Sequence, residues 1–176
     1  MKRAQIIGQV FILILAAAVF IMILLYGYKA VSQFSERSKQ VAFVSFEEDF
    51  KKAVKDASLD YGGVKKLELT LPSGYQELCV FCSPDFKSSW TGCNNIVSPE
   101  YQQLQQDHPL LVESWNGGKS AQNVFLVPFA ETPINIDRVE VATVGFCTNV
   151  IQGRVTLKLE GKGDRVVVSV WPPAVQ

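Results

Sequence analysis

The hydrophobic and polar positions divide the chain into three stretches with different periodicities. Ala4 to Tyr28 contains no charged residue, and 21 of its 25 positions are apolar. From Phe43 to Ala57 apolar residues recur every three or four positions, which is the spacing of one helix face. Beyond Gly63 the period falls to two, which indicates half-buried strands. The pattern predicts an α+β protein in which a long N-terminal hydrophobic helix precedes a small antiparallel β-sheet domain.

The first stretch is long and apolar enough to cross a membrane. Its 25 helical residues would reach roughly 37 Å, against about 30 Å for the hydrocarbon core of a bilayer. Residues 10–25 are apolar on every face, which a surface helix of a soluble protein could not tolerate. Tyr26 and Tyr28 fall where an interfacial aromatic belt belongs, and Lys29 follows. We therefore predict a transmembrane helix over residues 5–28, with residues 1–4 as a candidate leader.

The orientation of this helix is predicted from its flanking charges and from the position of the domain. Lys2 and Arg3 precede it, and basic residues also follow it, so the positive-inside count is nearly balanced. A short cytoplasmic N-terminus is nevertheless the simplest arrangement, because no domain then needs to precede the helix. A cleaved secretory signal is the alternative, but such signals have shorter apolar cores and a small-residue cleavage site, and no A-x-A pattern follows this helix before Lys29. We expect a single-pass protein of the cell membrane whose C-terminal domain is extracellular.

The second stretch predicts an amphipathic helical extension over residues 29–61. Ser45 and Glu48 fit a capping box, so a helix either begins near Phe46 or continues from the membrane. Gly62-Gly63 is the predicted end of the helix. The intervening charges, including Asp56 and Asp60, indicate a solvated face. Other charged residues of this face are Glu36, Arg37, Lys39, Glu47, Glu48, Lys51, Lys52 and Lys55.

The third stretch, residues 62–176, predicts an antiparallel β domain. Strand candidates cover residues 66–71, 77–81, 123–129, 134–141, 154–159 and 165–171. Pro128 indicates that its strand lies at an edge or stops there. Gly161 to Asp164 is a turn between the last two strands, which form the clearest hairpin. Strands do not alternate with helices in the way that a parallel sheet requires.

Charge and motifs exclude several function classes. After Lys2 and Arg3 the chain carries 15 basic and 17 acidic side chains, which gives no electrostatic footprint for nucleic acid. His108, the only histidine, is predicted to be a surface loop residue, and no nucleophile, metalloprotease or phosphate-loop motif is present. We expect no enzyme activity, cofactor or metal. The three tryptophans, Trp90, Trp115 and Trp171, are expected to pack in or near the core.

Four cysteines, Cys79, Cys82, Cys93 and Cys147, suggest two disulfides in an exported domain, with three connectivities available. Pairing Cys82 with Cys93 would close an irregular loop, and Cys79 would then meet Cys147 across strands. A four-thiolate zinc site is an alternative, although its second pair of cysteines is widely separated. A thioredoxin-like redox site would require Cys79 and Cys82 to open a helix, whereas they lie in a predicted strand.

The N-terminus, Lys2-Arg3-Ala4-Gln5-Ile6-Ile7-Gly8-Gln9-Val10-Phe11, resembles the class III signal of archaeal type IV pilin-like proteins. The resemblance covers about 30 residues and implies a cut between Ala4 and Gln5 that leaves the apolar segment in the mature protein, as the first half of a long helix. Two positions depart from the family pattern. Ala4 stands where glycine is commoner, and Gln9 stands where a glutamate usually pairs with a neighbour's terminal amine. The alternative is an uncleaved signal anchor.

Two functions share this predicted architecture. In the first, the chain is a pilin-like structural subunit of a surface filament or of its assembly machinery, and identical or related subunits pack through the N-terminal helix. In the second, it is a monomeric signal-anchored protein whose β domain binds an extracellular partner, with the lipid membrane as the only partner of the helix. A membrane-tethered enzyme is a third class, but the sequence shows no catalytic set for it.

Overall fold

The fold was analysed in a computed structural model that describes residues 3–84, 90, 92–117, 122–130 and 132–172. Side chains are described from residue 11 onward. Three α-helices and seven strands occur in this part of the chain: α1 Arg3–Ser58, β1 Val64–Thr70, β2 Glu77–Phe81, α2 Pro99–Asp107, α3 Pro109–Asn116, β3 Val124–Val127, β4 Val139–Val141, β5 Gly145–Asn149, β6 Arg154–Gly161 and β7 Val166–Val170. The predicted architecture, a long apolar helix followed by a small β-rich domain, is confirmed.

Helix α1 belongs to two compact units. The first unit is Met1–Val41 and the second is Ala42–Gln176, so the last part of α1 is counted with the β domain. Because α1 is continuous from Arg3, Ser45 lies inside it and the predicted capping box was wrong. The helix ends at Ser58, earlier than Gly62, so Asp60 lies beyond it and pairs with Lys65 at 3.4 Å.

The apolar stripe predicted on α1 supplies one wall of the domain core. Phe46, Phe50, Val54 and Ala57 are each at most 3% exposed. The end of the helix lies so close to β6 that a Cβ on Gly161 would be 2.2 Å from the Ala57 carbonyl oxygen. Only glycine allows this approach, which brings the Gly161 carbonyl 2.8 Å from the Gly62 N–H that donates to it.

The strands form two sheets. One has the order β1-β6-β7-β4 and the other has the order β3-β2-β5. The predicted hairpin is present, because β6 pairs antiparallel with β7. Strand β4 pairs parallel with β7, however, so the antiparallel prediction is wrong for that one pair. Strand β3 is at an edge and ends immediately before Pro128, as the proline indicated.

A buried polar cluster joins the two sheets. The Asn123 side chain donates to the Ile136 carbonyl oxygen and accepts from the Ile136 N–H, both at 2.8 Å. The Ser83 hydroxyl donates to the same carbonyl oxygen at 3.0 Å and accepts from the Val139 N–H at 2.9 Å. The chain before β4 is therefore held by side chains, and the strand predicted over residues 134–141 shortens to Val139–Val141.

Three elements were missing from the predictions. Helices α2 and α3 occupy residues 99–116, and β5 pairs with β2. Ser98 accepts a hydrogen bond from the Tyr101 N–H at 3.1 Å, and Pro99 opens α2, which are ordinary signals of a helix start. The sequence contains these signals, but the alternating pattern after Gly63 led to a prediction of strands only.

Candidate functional site: the apolar helix and the disulfide face

The apolar part of α1 is exposed along its described length. Every described side chain from Phe11 to Val41 is exposed, and among the described residues α1 is long and apolar enough to cross a membrane. Phe20 and Leu25, for example, are 61% and 67% exposed. Such a surface is far larger than the apolar patches that soluble monomers tolerate, and it is compatible with insertion into a membrane.

A second set of exposed apolar side chains lies beyond Tyr28. Val31, Phe34 and Val41 are 70%, 76% and 66% exposed. At about 1.5 Å per residue they lie roughly 4, 9 and 20 Å beyond Tyr28 along the helix axis, and at about 100° per residue they fall within one 80° arc. We call these three residues the distal stripe. Sequence analysis missed it because all six residues from Ser35 to Gln40, which separate Phe34 from Val41, are polar.

The structure joins all four cysteines in two disulfides. Cys79 on β2 is bonded to Cys147, the residue directly opposite it on β5, and Cys82 is bonded to Cys93. This is the pairing that the sequence analysis favoured. Because each sulfur is bonded to another sulfur, none is a thiolate that could bind zinc or act in a dithiol redox site. Part of the loop between Cys82 and Cys93, residues 85–89 and 91, lies outside the described residues.

His108 differs from its prediction as a surface loop residue. It joins α2 to α3, its side chain is 21% exposed, and its Nε2 lies 3.2 Å from Glu77 Oε2. That oxygen is buried and accepts no hydrogen bond within the described part of the chain. A ring nitrogen of His108 also lies within 4.8 Å of both sulfurs of the Cys79–Cys147 disulfide. The bonded sulfurs make this a packed structural contact rather than a ligand set.

Ion pairs stabilise the last strands of the domain. Glu140 on β4 accepts a hydrogen bond from Arg165, which raises the pKa of that guanidinium, and Arg165 also lies 5.6 Å from the centre of the Trp90 ring. Hydrogen bonds from Lys162 and then Lys158 lower the pKa of Glu160. These groups have structural partners on neighbouring positions, and they do not form an acid–base pair in a cleft.

The remaining predicted residues have the following places. Ala4 and Gln5 belong to α1, and their side chains are outside the described part of the structure. Cleavage between them stays a prediction. Trp90 and Trp115 are buried in the core, and the Trp115 indole N–H donates to the Cys82 carbonyl oxygen at 2.9 Å. Trp171 is 36% exposed and follows β7. Asp56 is exposed on α1.

Comparisons with known proteins do not add a relative. No protein-family model, curated protein or solved structure matches the chain. The fold therefore defines the class of protein only in general terms. It is an α+β protein with an N-terminal helix that could span a membrane and a disulfide-bonded β domain.

Proposed function

We propose that the chain is a membrane-anchored, outward-facing structural protein, and specifically a pilin-like subunit of a surface filament or of its assembly machinery. The N-terminal resemblance is one support for this function. The observation that carries it is the distal stripe of Val31, Phe34 and Val41, because Phe34 and Val41 are exposed and lie roughly 9 and 20 Å beyond the predicted span.

The length of the exposed apolar part of α1 distinguishes a filament subunit from a monomeric membrane anchor. Residues 11–41 would extend about 46 Å as a helix, whereas the hydrocarbon core is about 30 Å thick. A monomeric anchor would leave Phe34 and Val41 of the distal stripe in water. Contact with the same helix of another subunit would bury it, since an apolar stripe on one face is the usual surface for helix association. Ala16-Ala17-Ala18 would allow close approach of helices within the membrane.

A structural role does not require catalytic residues in the β domain. The described cysteines are in disulfides, and the sole histidine packs against Glu77 and one of those disulfides. We therefore propose no catalytic activity. Two disulfides that hold an exported domain under oxidising conditions are consistent with display on the cell surface.

The filament role is tested by paired variants of the distal part of α1. Phe34→Ser with Val41→Ser removes two of the three apolar side chains of the distal stripe. Gln33→Ser with Gln40→Ser makes two changes on another face of the same helix. Negative-stain microscopy of surface fractions should show filaments for the wild type and the control, and none for the stripe variant. Filaments that persist in the stripe variant, or that are missing from the wild type, would count against the proposal.

Processing and orientation require separate measurements. N-terminal sequencing of the mature protein should give a start at Gln5, and an intact Met1 or a start beyond Lys29 would contradict pilin-like processing. External protease applied to sealed cells should digest the β domain after its disulfides are reduced. A domain that survives this treatment, but is digested once the membrane is opened, would place it on the cytoplasmic side.

A further inference from the structure

The domain contains a cleft between the last turns of α1 and the segment that enters β4. It has a volume of about 350 Å³, and its lining comes entirely from the second compact unit. Val54 and Ile136 form an apolar floor and are 3% and 1% exposed. Lys51, Lys55 and Arg138 stand at the exposed rim. An apolar floor with a few charged groups at the rim is the usual composition of a site for a small ligand.

Positive charge on this rim exceeds its local compensation. Lys51 pairs with Glu47 at 2.6 Å, but within the described part of the chain Lys55 and Arg138 form no ion pair. Lys51 and Lys55 are four residues apart on α1, where like charges repel each other. Asp137 is the one acidic residue in the lining. A bound anion would relieve the repulsion between these cations.

Arg138 is held in a backbone conformation that its side chain does not favour. Its φ is +60°, in the left-handed region where glycine is preferred. The conformation is fixed on both sides: Asn123 holds Ile136, and the Arg138 carbonyl oxygen accepts from the Val166 N–H at 2.8 Å. Because the backbone is held on both sides, the point at which the Arg138 side chain leaves the chain is fixed at the rim of the cleft.

We propose that this cleft binds a compact organic anion, a carboxylate or phosphate ester carried on a small apolar group. The anionic group would lie between Lys55 and Arg138, whose guanidinium can donate two parallel hydrogen bonds to it. The apolar group would cover Val54 and Ile136. Ser58 lines the cleft, but its hydroxyl already donates to the Lys55 carbonyl oxygen at 2.7 Å, so it closes the helix end rather than holding the ligand.

The test uses the full chain in a nonionic detergent, with phenyl phosphate as the probe and calorimetry as the readout. Phenol and inorganic phosphate each carry half of the proposed recognition, so both should bind at least about tenfold more weakly than phenyl phosphate. Phenyl phosphate binding should also weaken as salt rises, because the contacts are charged and near the surface.

Arg138→Gly is the main variant, because glycine suits a φ of +60° and the fold should keep its melting temperature or gain a little. It should weaken phenyl phosphate binding at least about tenfold. Gln152→Gly is the matched control, since Gln152 has a φ of +53° and does not line the cleft. Lys55→Gln should weaken binding severalfold without changing the backbone.

Three results would overturn the proposal: phenyl phosphate that binds no tighter than phenol, full affinity in both Arg138→Gly and Lys55→Gln, or an equal loss in Gln152→Gly. A melting temperature that falls in Arg138→Gly but not in Gln152→Gly would assign Arg138 a structural role instead. The outcome is independent of filament formation, because the cleft is confined to the domain.

Discussion

Two regions of the same helix have opposite environments. Phe20 and Phe50 both lie on α1, yet Phe20 is 61% exposed and Phe50 is fully buried. The second half of the helix contributes one apolar stripe to a core that the β domain completes, whereas the first half is apolar on every face and has no covering within its own unit. The domain covers the apolar stripe of the second half itself, whereas the exposed first half is compatible with insertion into a membrane.

The largest expected effect is the difference in domain stability between alanine substitutions at Phe50 and at Phe20. Phe50→Ala should lower the free energy of unfolding of the domain by up to about 5 kcal/mol, because it leaves a cavity among close-packed side chains. Phe20→Ala should change it by less than about 0.5 kcal/mol, because no domain contact is lost. Urea unfolding of the full chain in detergent, followed by tryptophan fluorescence, measures both. Equal losses would show that the two regions are not distinct.

The disulfides should stabilise the domain unequally. Replacing Cys79 and Cys147 with serine opens a loop with a sequence separation of 68, and replacing Cys82 and Cys93 opens one of 11. In the chain-entropy picture the two losses are about 4 and about 3 kcal/mol. Unfolding of each double variant measures them. A larger loss for the Cys82–Cys93 pair would show that local contacts outweigh loop length.

A charge in the apolar half of α1 should weaken membrane insertion of the helix and leave the stability of the domain unchanged. Ile21→Asp places a carboxylate inside the predicted span and should cost up to about 3 kcal/mol of insertion free energy. The chain should then move from the carbonate-resistant membrane fraction toward the soluble fraction. Ile151→Asp is the control, because Ile151 is 71% exposed on the domain. A shift caused by the control alone would contradict the division between the two regions.

The smallest expected effect is electrostatic. Lys162 and Lys158 lower the pKa of Glu160, so its stabilising contribution is present above the ordinary glutamate pKa and disappears as the pH falls through the lowered value. Glu160→Gln should therefore lose about 0.5 kcal/mol at pH 7 and nothing in strong acid. Glu113→Gln, an exposed change on α3, is the control. An effect of Glu160→Gln that grows in acid would reverse the sign of this argument.

The parts of the fold that were predictable are those with a strong local pattern. The apolar run, the stripe of Phe46 and Phe50, and the alternation in β1 and β6 each report one buried face directly. The parallel pairing of β4 was not predictable, because it depends on Asn123 and Ser83 holding a distant segment. The cleft could not be found either: Lys51 and Lys55 look like any solvated helix face until Arg138 is placed opposite them.

The most direct test of the central claim is photo-crosslinking from the distal stripe. A photoreactive residue at Phe34 in native membranes should give dimers and higher oligomers of this chain, because the side chain is proposed to be covered by another subunit. The same residue at Lys39, about 140° around the helix, should give far fewer. Oligomers from Phe34 would support a subunit that assembles through its helix. Crosslinks to lipid alone, or equal yields from the two positions, would contradict it.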